Sequence, residues 1–424
     1  MSAVQLEQRE SGSDINRMVF LVGAGLFVTT IGQTGSLGQL PFRFLFKNEF
    51  HMSATQQATF GAVATMAWYF KPLAGLLVDS VPLFGTKRRN YLILSALISA
   101  ICWALFAVAP HKYNIYLYLT LTLNAFMVLG STVIGGLLVD TGKRGGATGR
   151  LTSVRYFVDN VGTILIGPLG GWLATKAFGF TAGIGALLLF SLIPAALLFL
   201  KHDRVDTGVD AAVWSRAGFQ FKTILRSPTM WSAAGLLFLV FVAPGFGVVM
   251  NYYQSDVLHF STKTIGNLQM AAGAGGIIAT VLYAKWCRTM QLKHLLFWGI
   301  LLNALSSLLY LGYNSVHIAP YIDFTNGVLG TLGVLPLFDL CARSTPKGCE
   351  SFGYSLLMSV YNVAIFVVSL PVGSWLYDKK DSFFFHNFHG LVWLSTITSL
   401  IALVLLPILP KDVIRLREGE VISS

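Results

Sequence analysis

Long apolar runs separated by short polar segments cover almost the whole chain. A helix needs roughly 20 mostly apolar residues to cross the hydrocarbon core of a bilayer. Twelve stretches reach that length, at about 18–45, 54–79, 91–109, 115–139, 151–175, 182–200, 228–252, 264–286, 293–313, 321–342, 351–376 and 389–409. The pattern predicts an all-α membrane protein of twelve transmembrane helices. Its longest polar stretch, Lys201 to Arg226, divides the spans six and six. The expected organisation is a six-helix half at 1–200, a linker at 201–227 and a second six-helix half at 228–424. The linker interleaves Arg204, Arg216, Lys222 and Arg226 with Trp214 and Phe219, a pattern that predicts an amphipathic helix in the interface.

Composition sharpens this picture. Of 424 residues, 54% are hydrophobic and only 12% charged, against about 25% charged in soluble domains. The net charge of +11 would suggest nucleic acid elsewhere. Here the cations sit in short loops, where they set topology instead. An even number of spans puts both termini on one side, and 21 of the 30 Lys and Arg fall in segments on that side. The termini are therefore expected to be cytoplasmic. The N-terminal seventeen residues form neither a cleavable signal nor an acid-poor transit peptide, which favours a bacterial-type inner membrane. Cys287, Cys341 and Cys349 fall near cytoplasmic span ends, and Cys102 stands apart, so no disulfide or metal site is expected. The eight histidines are scattered and no large soluble domain is present. Both facts argue against a membrane enzyme or a receptor, and no cofactor or catalytic residue is expected.

The candidate chemistry lies in polar groups inside apolar segments. In FKPLAGLLVDSVPLFGTKRRNY, Phe70 to Tyr91, Lys71 lies within a span, Asp79 at its end, and Lys87, Arg88 and Arg89 just beyond. A lysine in a span needs a partner or a watery cavity. Lys71 is either a structural cation or one that faces substrate. Arg155 and Asp159 stand four residues apart in span five, as a helix-internal pair or as a coupling pair. Asp339 and Arg343 repeat that spacing at the end of span ten, followed by Lys347 and Glu350, and suggest a cytoplasmic gate. Gln33, Asn124, Gln269, Asn303 and Asn362 are deep neutral polar residues, each either an interhelical hydrogen bond or a cavity lining. Pro and Gly concentrate in spans 1, 5, 7 and 8, where they permit tight packing and kinks.

The arrangement of six spans, a basic linker and six spans resembles that of major facilitator transporters, whose substrate site lies between two halves. Two segments sharpen the resemblance. KPLAGLLVDSVPLFGTKRRNYL, Lys71 to Leu92, resembles the second-span signature of folate–biopterin transporters. LFDLCARSTPKGCESFGYSLLMSVYNV, Leu337 to Val363, is similar to that family's signature between spans ten and eleven, with Ala342, Arg343, Pro346, Lys347, Gly348 and Glu350 in register. The chain departs from the pattern at Ala74, Val78, Thr86, Asn90, Ser344, Thr345 and Ser351. The resemblance implies a major facilitator fold and a proton-coupled importer of folate, biopterin or a related heterocycle. The alternative cargo is another small organic solute, such as S-adenosylmethionine, a nucleoside-like compound or a drug. Lys71, Arg155, Asp159, Gln33, Asn124, Gln269 and Asn362 would face substrate or protons. Asp79, Arg88, Arg89, Asp339, Arg343, Lys347 and Glu350 would form the cytoplasmic gate. The expected partners are the small-molecule substrate, protons and the lipid bilayer, with the chain acting as a monomer.

Overall fold

The computed structural model describes residues 21–86, 88–145, 148–200, 211–346, 349–379 and 387–409. Its described elements are helical, and a single isolated bridge joins Leu83 to Thr86. Eight helical stretches are long and apolar enough to cross a bilayer unaided. They include α6 (Arg89–Val108), α14 (Thr262–Thr289) and α16 (Ala319–Ser344). They also include much of α7 (Tyr113–Gly145) and the α15 run (Leu292–Ser307).

Four further spans are interrupted or carry charge, each for a readable reason. Span one is α1 (Leu21–Ile31) and α2 (Gln39–Asn48), parted at Gly32 to Gly38. The break frees the Gly32 carbonyl, which accepts a hydrogen bond from the Trp103 indole at 2.8 Å. Span two is α3 (Ala54–Ala64), α4 (Met66–Tyr69) and α5 (Lys71–Ser80). Ser53 and Gln56 form a capping box that starts α3. Pro72 has no N–H to give the Trp68 carbonyl and its ring crowds that carbonyl, so the chain steps out of helix at Phe70 and Pro72 falls in the first turn of α5. Span five is α8 (Thr148–Leu173), which carries Arg155 and Asp159. Span seven is α12 (Pro228–Phe241) and α13 (Gly247–Tyr252), parted at Pro244 and followed by a π turn at Tyr253–Val257. A second π turn, Val363–Ser369, divides α17 (Glu350–Asn362) from α18 (Leu370–Asp378) in span eleven. Span six is α9 (Phe178–Phe190) with α10 (Leu192–Phe199), and span twelve begins with α19 (Phe388–Ile401). Twelve spans are thereby present. The end of the linker forms α11 (Ala211–Leu225), whose last turns meet α12 at 73°, the geometry of a helix lying along an interface.

The fold is held by two kinds of packing. In the first six spans an aromatic cluster joins Phe42, Phe46, Trp103, Phe106, Tyr116 and Phe178, with ring centroids 4.8 to 6.3 Å apart. Elsewhere backbones meet directly. A Cβ on Gly167 would lie 2.9 Å from the Met270 nitrogen, and one on Gly171 would lie 2.6 Å from the Thr262 carbonyl. Spans five and eight therefore approach through glycine, as small-residue membrane interfaces do. Large apolar side chains such as Leu187, Val281 and Val404 remain exposed, as the lipid-facing side of a span requires.

Candidate functional site

Polar side chains inside the bundle form short chains that link neighbouring spans. The first joins spans two and four. Lys71, at the start of α5, donates to Ser131 Oγ at 3.2 Å, and its ammonium lies 5.3 Å from the centre of the Trp68 ring. The Trp68 indole donates to Asn124 Oδ1 at 2.9 Å, and Asn124 Nδ2 donates to the Ala64 carbonyl at 2.8 Å. That carbonyl lies at the break between α3 and α4, where a helical partner is missing. Asn124 is buried and fully engaged, so it acts as a brace between spans. Lys71 is half-buried.

The second chain joins spans one, five and eight. Thr30 Oγ1 donates to Asp159 Oδ1 at 3.1 Å. Thr163 donates to the Asp159 carbonyl at 3.0 Å, and Asn160 Nδ2 donates to Thr280 Oγ1 at 3.2 Å. Gln33 donates to the Thr29 carbonyl at 2.8 Å and retains its side-chain oxygen. Gln269 stands beside the Gly167 approach. Gln269 and Asn362 are half-buried and make no hydrogen bond among the described residues. Asn362 immediately precedes the π turn of span eleven. Half-buried amides of this kind can read the donor and acceptor edge of a ligand. The side chains of Arg155, Asp79, Lys347 and Glu350 lie outside the described residues.

At the end of span ten, Arg343 grips Asp339 in a fork, Nε to Oδ1 at 2.9 Å and Nη2 to Oδ2 at 2.7 Å. Tyr283 of span eight donates to the same carboxylate at 3.1 Å. The i,i+4 spacing read from the sequence thus becomes a three-residue tie between spans. The Arg88 guanidinium lies against Gly136 of α7, within 3.5 Å of where a Cβ would stand. Arg89 begins α6 and is half-buried.

A further cluster, on the face opposite α11, went unread in the sequence. Lys47 at the end of α2 pairs with Asp256 and donates to Ser255 Oγ at 2.6 Å. Gln57 Nε2 donates to Tyr252 Oη at 2.6 Å. Thr55 N–H donates to Asp378 Oδ2 at 2.7 Å, and Arg43 reaches the Gly247 carbonyl at 3.4 Å. These contacts join spans one and two to spans seven and eleven, and so bridge the first six spans to the last six. Each residue lies near a span end, where a charge is ordinary, so nothing in the sequence marked it. Beside this bridge a cavity of about 490 Å³ contains the Glu49–His111 ion pair, with Phe50 and Tyr113 in its wall. Asp323 escaped for the same reason. It is the fifth residue of α16, near a helix N-terminus that suits a carboxylate, yet it is buried. The neighbouring Tyr313 hydroxyl donates to its carboxylate at 2.7 Å.

The chain is similar to known proteins along most of its length. The model of the BT1 family matches residues 32–420. The folate-biopterin transporter of Synechocystis sp. is 27% identical over 398 residues, covering 88% of this chain and 78% of that protein. Folate transporter 2 of Plasmodium falciparum is 21% identical, covering 96% of this chain and 90% of that protein. Among solved structures, a D-xylose-proton symporter superposes with a TM-score of 0.64 at 17% identity, over 92% of this chain and 96% of its own. The nucleoside transporter NupG superposes with a TM-score of 0.71 at 11% identity, over 93% and 99%.

Proposed function

Because this chain belongs to the BT1 family, we propose that it is a proton-coupled importer of folate, biopterin or a related heterocycle. It is a multi-pass integral membrane protein, a transporter rather than an enzyme, with the fold of major facilitator transporters. The observation that carries the cargo is the match to transporters named for folate and biopterin across most of the chain.

The chemistry of the bundle supports this reading. A folate is a flat pterin with a dianionic tail. In a low-dielectric cavity the tail needs cations. Lys71 would supply one, and Arg155 the other. The pterin edge needs donors and acceptors, and the uncommitted amides of Gln269 and Asn362 and the oxygen of Gln33 would serve. Asp159, held by Thr30 across spans one and five, would be the coupling carboxylate. Residues 1–200 and 228–424 would rock against each other as a monomer, with both termini in the cytoplasm of a bacterial cell. The Asp339–Arg343–Tyr283 tie, Arg88, Arg89, Asp79, Lys347 and Glu350 would then close the inner side. The Lys47–Asp256 bridge would close the outer side.

The test is uptake by the reconstituted protein in liposomes under an imposed pH gradient. Labelled folate should accumulate, and unlabelled biopterin should compete. Competition by S-adenosylmethionine or a nucleoside, with none by biopterin, would transfer the cargo to the alternative class.

A further inference from the structure

Asp323 sits at the outer end of span ten and is 7% exposed. Its carboxylate accepts hydrogen bonds from Tyr310 Oη at 3.2 Å and from Tyr313 Oη at 2.7 Å. Among the described residues it has no ion pair with Lys, Arg or His. A buried charge held by neutral donors alone keeps most of its desolvation cost. A single proton would remove that charge.

The groups packed around it form a directed chain. The short helical turn Leu308–Gly312 brings Tyr310, and the following loop brings Tyr313. The π turn of span seven brings Gln254, whose Nε2 donates to Tyr313 Oη at 2.7 Å. It also brings Tyr253, whose hydroxyl donates to the Tyr313 carbonyl at 3.2 Å. From α19, Phe388 stacks on Tyr253 with centroids 4.3 Å apart, and the His389 ring lies 6.0 Å from the Tyr253 ring. Gln254 therefore ties Asp323 to the segment that carries both bridging residues, Tyr252 and Asp256. A π turn is an uncommon arrangement found mostly as single turns at functional sites.

We propose that Asp323 is a proton-binding site whose occupancy controls the outer bridge between the two halves. This rests on the proton-coupled reading above. When ionised, Asp323 accepts from both tyrosines, and Tyr313 Oη is left to accept from Gln254. The proton enters from the outer solution and forms an O–H bond on the carboxyl group. On Oδ2, the oxygen that Tyr313 faces, that O–H must donate to Tyr313 Oη, which becomes its acceptor. Tyr313 then turns its own proton toward Gln254, which clashes with the amide N–H already there. The π turn must rearrange, and Tyr252 and Asp256 shift relative to Gln57 and Lys47. Proton binding outside thus loosens the outer bridge and opens the path by which cargo enters.

The test uses full-length purified protein in liposomes and two readouts that need no substrate. Infrared difference spectra between acidic and neutral pH should show a protonated-carboxyl band that Asp323→Asn abolishes and Asp323→Glu shifts. Hydrogen–deuterium exchange across 252–257, divided by the intrinsic amide rate at each pH, should show protection that falls with pH in the native chain and stays constant in Asp323→Asn. A carboxyl spectrum identical in Asp323→Asn and the native chain, or protection with native pH dependence in that variant, overturns the proposal. Should Asp323→Asn fail to fold, Tyr313→Phe decides. Loss of one donor must move the pH midpoint of exchange, and an unmoved midpoint overturns the proposal equally. Absence of folate and biopterin uptake by the native chain would sink the functional reading alone, since neither readout depends on cargo.

Discussion

Lys71 keeps an ammonium inside the bundle by donating to Ser131 and resting on the Trp68 ring. These contacts hold the ammonium where it would meet an anion. Lys71→Met should raise the KM for folate by about tenfold to a hundredfold, the equivalent of one charge-assisted hydrogen bond of about 1.5–3 kcal/mol. Concentration-dependent uptake measures this, and a fall in thermal stability with unchanged KM would make Lys71 purely structural. Asp159→Asn should keep the fold, because an amide oxygen still accepts from Thr30. It should abolish accumulation driven by a pH gradient while cargo exchange persists, and native accumulation would remove Asp159 from coupling. Lys71 and Asp159 stood out in the sequence because each is a charge within an apolar run. Asp323 did not, because burial at a helix N-terminus depends on which tyrosines fold over it.

Breaks within spans seven and eleven answer each other. Pro244 interrupts span seven, and the freed backbone finds partners across the gap. Ser369 Oγ donates to the Ala243 carbonyl at 2.6 Å, and Gly245 N–H donates to the Ser369 carbonyl at 3.0 Å. A Cβ on Gly373 would collide with the Gly245 carbonyl. Ser369→Ala should cost about 1–3 kcal/mol by stranding a buried acceptor. Gly373→Ala should cost a similar ~1–3 kcal/mol through overpacking of backbone on backbone. Thermal unfolding in detergent reads both, and a Gly373→Ala protein as stable as the native one would show that the two spans separate freely. The proline and the glycines were visible in the sequence as weak points. Their pairing was not, since the partner lies more than a hundred residues away.

Across the whole molecule, the face opposite α11 is held by partly exposed contacts between the two sets of spans. The Lys47 and Asp256 side chains are 21% and 49% exposed, so their pair contributes only about 0–1 kcal/mol. Lys47→Gln should therefore shift the balance toward outward-open forms by up to about fivefold, since ~1 kcal/mol corresponds to that ratio. Labelling of a cysteine placed at Ser255 by a membrane-impermeant maleimide reports the shift. A labelling rate equal in the two backgrounds would show that Lys47 does not hold the outer face. A bridge this weak would suit the alternating access proposed above.

The class of molecule, the twelve spans and the family were legible in the chain alone. These follow from local hydropathy, loop charge and short motifs, each legible within about 25 residues. Only the tertiary structure decided which polar groups are braces and which remain uncommitted. Asn124 became a brace because the break at Ala64 leaves a carbonyl for it to satisfy. Gln269 and Asn362 stayed uncommitted because no donor or acceptor folds against them among the described residues. Hydrogen bonding within a bilayer is decided by the neighbour that arrives from a distant span, and that neighbour is set by packing rather than by the residue's own surroundings in the chain.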